Sequence, residues 1–217
     1  MTITLYERRR NLGLAGGCLW LIFVGTVYAS WSLLTVRSGL ATSLLAGISI
    51  FAVALILFGV AMIRGVLQLP FLSAANGAGG QKIMRQFGII FAAECLAIAA
   101  MSIACTDSHH WIFIVPLALV IVGLHFLPLA KLFEVPRYYV TGILFCAIPV
   151  ATMLLNPSSA HVGHALSWIV IPSVGCALVA LATAWAGLNE VRRFVGASRA
   201  RLSRAAQTAN GLLPLNR

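Results

Sequence analysis

Two residues inside long apolar runs carry the chemistry this chain offers: Glu94, in the run 87–105, and His125, in the run 111–130. A carboxylate and an imidazole are the usual parts of an intramembrane proton relay. Spacing decides whether they could act together. Glu94 lies seven residues from the start of its run and His125 five from the end of its own. At the helical rise these are depths of roughly 10 Å and roughly 8 Å from the same end. The runs are joined only by Thr106-Asp107-Ser108-His109-His110, which makes them antiparallel neighbours. A charged carboxylate is costly in hydrocarbon, so Glu94 must face the protein interior and either find a partner or hold a proton. Two readings stay open. The pair is a proton or substrate site, or it is an interhelical clamp of modest strength.

A second set of candidates lies between the runs. Asp107, His109 and His110 share one loop, and His161 and His164 share another. If the loops meet, imidazole nitrogens and a carboxylate could hold Zn²⁺ or Cu²⁺; solvated loop histidines are the plainer alternative. No zincin helix, nucleophile elbow, Walker loop or dinucleotide fingerprint is present. The reading is therefore of a non-enzymatic chain without a cofactor. Cys18, Cys95, Cys105, Cys146 and Cys176 are odd in number and widely spaced, with no Cys-x-x-Cys, so no disulfide framework or zinc knuckle is expected.

The elements that must position these residues are apolar helices. Of 217 residues, 60% are hydrophobic and 9% charged, far below the charge of a soluble domain. The apolar runs are continuous, not alternating, which selects helices over a barrel. The expected fold is an all-α polytopic bundle of six transmembrane helices, at about 12–36, 40–63, 87–105, 111–130, 138–155 and 166–188. Residues 1–11 form a basic N-terminus and 189–217 a basic tail. Pro116 and Pro128 predict a kinked or broken fourth helix. The Gly-rich connection 64–86 lacks the Ser or Thr of a phosphate loop after Lys82, and reads as a flexible linker. Arg8–Arg10 followed by an apolar run also suits a secretory signal cut after Ala29, but the run continues to Val36, which favours an uncut first span.

The net charge is +10, and no nucleic-acid motif accompanies it. With the N-terminus inside, every Lys and Arg except Arg37 falls on the inner side. That is a strong positive-inside pattern with both termini cytoplasmic. In the tail, Arg192, Arg193, Arg199, Arg201 and Arg204 accompany Val191, Phe194, Val195 and Leu202 at near-helical spacing. This predicts an amphipathic helix on the membrane surface, attracted to anionic lipid head groups, or a solvated tail that only sets topology. Two short matches, Gly88–Ala93 with Gly142–Ala147 and Trp111–Pro116 with Trp168–Pro172, suggest that spans three and four repeat as five and six. Glu94 then aligns with Ile148, so the acid belongs to one copy.

The segment 69–155 contains Glu94, then Gly123-Leu124-His125-Phe126-Leu127-Pro128, then Pro136-Arg137-Tyr138-Tyr139. It resembles a family of small bacterial multi-span membrane proteins with a His-Phe-x-Pro helix end, a short loop and Tyr-Tyr. The resemblance brings no activity. It implies a bacterial inner-membrane location and a joint role for Glu94 and His125. The expected function is a proton-coupled small-molecule carrier or sensor. The alternative is a structural or interaction protein with a lipid- or partner-binding basic tail.

Overall fold

The computed structural model describes residues 5–36, 38–70 and 78–211. Six helices make the fold: α1 (Leu5–Val36), α2 (Gly39–Leu67), α3 (Ala78–Asp107), α4 (Ile114–Leu132), α5 (Arg137–Leu155) and α6 (Ser167–Gly211). A one-turn 3-10 helix, Trp111–Phe113, leads into α4, and a two-stranded hairpin of β1 (His161–Val162) and β2 (Ala165–Leu166) leads into α6. All six helices are long and apolar enough to cross a membrane. Their outward faces are apolar: Trp31, Leu40, Ile50, Leu96 and Leu154 are each at least 70% exposed, as suits contact with hydrocarbon or a partner.

The centre is α6, which packs on α1, α2, α4 and α5. Its inward stripe is built from small residues, including Ser173, Ala177, Ala180 and Ala184, which lets a neighbouring backbone come close. Gly25 of α1 uses this: a Cβ there would lie 3.2 Å from the Ala180 side chain. The α4–α5 crossing is tighter still. A Cβ on Gly123 would fall 2.8 Å from the Gly142 carbonyl oxygen, and one on Gly142 would fall 2.7 Å from that of Gly123. Thr141 and Thr183 share a buried hydrogen bond of 2.8 Å that ties α5 to α6. The odd element is α3. Its extensive helix contact is with α4 alone, and none of its residues from Arg85 to Asp107 is buried.

Three expectations change. Pro116 does not break the fourth helix; it sits in the first turn of α4, where a missing N–H has no helical acceptor to lose. Helix replaces much of the expected linker, because α2 reaches Leu67 and α3 begins at Ala78; residues 71–77 lie outside the described residues. The hairpins suggested as copies pack differently, since α5 is wedged between α4 and α6 while α3 is peripheral.

The start of α1, the end of α2, the start of α5 and the late part of α6 meet at one end, which is called the basic end below. Glu190 of α6 joins two of these elements: Arg10 Nη2 lies 3.3 Å from one carboxylate oxygen and Arg137 Nη2 lies 2.8 Å from the other. Arg137 is the more buried partner, its side chain 24% exposed. Glu190→Ala leaves two guanidinium groups facing each other across a half-buried gap. It is expected to cost about 1–3 kcal/mol, read as a lower thermal unfolding midpoint of the purified protein. Glu190→Gln, which keeps an acceptor, is expected to lose less.

The tail departs from its expected form. α6 runs unbroken through Gly211, 45 residues in all, roughly 68 Å at the helical rise. The apolar stripe foreseen for lipid is used inside the protein instead. Val191 and Val195 are buried, and a Cβ on Gly65 of α2 would touch Val195 at 3.3 Å. Arg199 donates a 3.3 Å hydrogen bond to Gln68 Oε1. The segment is thus a continuation of α6 docked on the end of α2, with Arg199 exposed at that contact and Arg192, Arg193, Arg201 and Arg204 exposed along the rest of its surface.

Candidate functional site

Because α3 leans on α4 and not on α1, a cavity of about 440 Å³ opens between them. The α1 wall is made of Gly13, Gly16, Gly17 and Trp20, the α3 wall of Phe87, Phe91 and Glu94, and α4 adds Val122 and His125; Cys176, Ala177 and Ala180 of α6 lie at its back. Helical register explains the grouping. Phe87, Phe91, Glu94 and Ile98 are three or four apart, so they share one face of α3. Val122, His125, Phe126 and Leu129 do the same on α4. The glycines of α1 are what keep the space open: a Cβ on Gly13 or Gly16 would meet nothing within 4 Å.

Glu94 and His125 meet in this wall. His125 Nδ1 lies 3.1 Å from Glu94 Oε2, with the side chains 10% and 11% exposed. The contact is of ion-pair length but is not aligned as a hydrogen bond, and Nδ1 has no other partner among the described residues. The ring also lies against the backbone of Ile90, one turn before Glu94. Around the pair the surface is aromatic. Phe87 and Phe91 stack with centroids 6.2 Å apart, and Trp20 meets Phe91 edge-on at 6.4 Å, the one ring contact between α1 and α3 among the described residues. Chemically, the arrangement can hold one proton or one cation between a carboxylate and an imidazole in a place water enters poorly.

The other sequence candidates do not join this site. Asp107 is the exposed last residue of α3, and His109 and His110 lie in the exposed turn that follows, His109 with a positive φ of 58° and His110 against the ring of Phe113. His161 and His164 are exposed in the hairpin before α6, whose tip rests on Val36, the last residue of α1. Among the described residues no group of three or more His, Cys, Asp or Glu could hold a metal ion. The expected metal set is therefore not brought together among the described residues, the two loops leaving their histidines exposed. All five cysteines are free.

Sequence reasoning missed the α1 wall and the Arg10–Glu190–Arg137 cluster. The first had a visible signal, since Gly13, Gly16, Gly17 and Trp20 fall on one helical face. The second joins residues too far apart in the chain for any local pattern. A direct consequence concerns Gly16. Gly16→Leu is expected to leave the unfolding midpoint unchanged or raised, since its Cβ meets no atom within 4 Å, the rest of the side chain enters the cavity, and helix propensity improves by about 1 kcal/mol. It should fill the cavity and reduce ligand binding at least ~10-fold, read by calorimetry. No protein-family model matches the chain, and no curated protein or solved structure matches it.

Proposed function

We propose that the protein is a carrier of the bacterial inner membrane, with both termini in the cytoplasm, that exchanges a proton at Glu94 and His125 against a small molecule in the adjoining cavity. The observation that carries this reading is the 3.1 Å contact between the two side chains in the wall of an apolar cavity. A pure clamp needs no empty space beside it. The cavity and the pair together provide a ligand site whose occupancy changes the environment of a titratable group, which is the minimum for coupling. Crowding of Lys and Arg at the ends of α1, α2 and α6 supports the inward orientation of that end.

The test is transport in proteoliposomes. An imposed pH gradient is expected to drive accumulation of a cavity ligand, and collapse of the gradient to stop it. Flux indifferent to the gradient would sink the reading.

A scaffolding role is the second reading. It is favoured by Arg192, Arg193, Arg201 and Arg204, which are exposed and have no ion-pair partner among the described residues. Their charge fits anionic lipid head groups. Replacing these four by Ala should abolish enrichment of anionic lipid around the protein in mixed-lipid vesicles if that role holds, and leave the surrounding lipid composition unchanged if it does not.

A further inference from the structure

We infer that the cavity takes a lipophilic organic cation, a tertiary amine or quaternary onium, held by Glu94 in place of His125 and by the aromatic rings of Trp20, Phe87 and Phe91. The inference names the substrate class of the proposed carrier site and rests on that reading for proton exchange alone.

The argument starts from charge. Among the described residues, Glu94 is the only acidic residue in the cavity lining, and Arg10 and His125 are the only basic ones. Arg10 is engaged by Glu190, which leaves His125 as the counter-ion of the carboxylate among the described residues. The remaining titratable groups of the lining among the described residues are Tyr28 of α1, Cys95 of α3, Tyr138 of α5 and Cys176 of α6, side-chain types that are uncharged near neutral pH. An anionic guest would meet the carboxylate across an apolar medium that screens poorly. A neutral guest could donate a hydrogen bond to Glu94 but would supply no counter-charge. A cation gains both a counter-ion and ring faces, the combination used to recognise onium groups elsewhere.

His125 is a replaceable partner. Its Nδ1 contact with Glu94 is not a formed hydrogen bond, so a cation displaces a contact without breaking an aligned bond. The exchange balances. The pair holding one proton has no net charge, whichever group carries it. When the cation takes its place beside the carboxylate, the bond from that proton to carboxyl oxygen or imidazole nitrogen breaks, the electron pair stays on that atom, and the proton leaves to solvent. Total charge in the site is unchanged, so burial of the guest adds no unpaired charge.

Size and access agree. About 440 Å³ is within the range of small-molecule sites. Because α3 lacks extensive packing on α1, the cavity can be reached from the hydrocarbon side, where lipophilic cations partition.

The test uses the full chain in lipid nanodiscs and titration calorimetry with tetraphenylphosphonium, and with tetraphenylborate as an anion of the same shape. Expected is saturable binding of the cation, with the anion at least ~100-fold weaker, and release of close to one proton per cation, read from the dependence of heat on buffer. Glu94→Gln should weaken the cation at least ~30-fold and Trp20→Ala ~3- to 10-fold, with size-exclusion profiles and unfolding midpoints reporting that both remain folded. Glu94→Asp, which keeps the charge, should restore most of the binding. Equal binding of cation and anion, absence of cation binding, or undiminished binding by folded Glu94→Gln would each overturn the inference. The two readings fail separately. Cation binding without proton release keeps the cation site and removes proton exchange, whereas Glu94-dependent proton flux without cation binding does the reverse.

Discussion

Glu94→Gln is expected to reduce proton-coupled flux at least ~100-fold, to the leak of protein-free liposomes, while the bundle stays folded. The side chains are nearly isosteric, so the cavity keeps its shape. Gln can still contact His125 across the 3.1 Å that separates the groups. What it loses is ionisation, and positioned proton-transfer groups are worth roughly 10²–10⁴ in rate. Stability should move little, because burying a neutral amide costs less than burying a carboxylate. The clamp reading predicts the opposite pattern: flux, if any, unchanged, because a hydrogen-bonding amide serves a clamp as well as an acid does. Measuring pH-gradient-driven flux and the unfolding midpoint on the same preparation separates the two. Unimpaired coupling in the folded variant ends the proton-site reading.

Gly123→Leu is expected to be among the most damaging single changes in the helical bundle, at about 3–5 kcal/mol. The physical reason is backbone overlap. A Cβ at this position would fall 2.6 Å from Cys146 Sγ, 2.8 Å from the Gly142 carbonyl oxygen and 3.0 Å from the Cys146 amide nitrogen. A side chain can change rotamer, but a carbonyl inside a helix cannot move aside. The helices must therefore part, and the ring contacts of Phe126 with Tyr138 and Phe145, at 5.7 and 5.6 Å, part with them. Overpacking costs about 1–3 kcal/mol when side chains can adjust, and more is expected where they cannot. Against a typical total of about 5–15 kcal/mol, this should appear as aggregation on extraction or a midpoint lowered by many degrees. His125 lies two residues from Gly123, so any folded fraction should also bind the cavity ligand poorly. Gly16→Leu is the informative contrast. It is the same chemical change within the same bundle, placed where no atom lies within 4 Å. Equal losses from the two substitutions would refute the packing argument.

The contrast between these glycines shows where reading a sequence stops. Both look alike in the chain, as small residues inside apolar runs. Gly123 is at a backbone crossing and Gly16 faces open space because of the partners that α4 and α1 found, and those partners lie far away in the chain. The same holds for the tail. Val191, Val195 and Leu202 were legible as an apolar helical stripe, but not the surface that covers it. Lipid and the end of α2 are equally apolar, and only the unbroken path of α6 brings the stripe to α2. The histidine loops failed for a related reason. Their residue types suit a metal, whereas their meeting depended on which helices carry them.

By itself the sequence determined that six helices are long and apolar enough to cross a membrane, that α3 and α4 form a hairpin, and that Glu94 and His125 lie at one level within it. Each of these follows from local quantities, namely run length, loop length and rise per residue. Tertiary structure alone decided what the pair faces. Glycine contacts pull α4 onto α5, the small-residue stripe of α6 draws in α1, and α3 is left against α4 with its Glu94 side toward an open cavity. Helix rotation and the choice of neighbours are set by contacts summed over the whole bundle, and so they are not written in any one stretch of the chain.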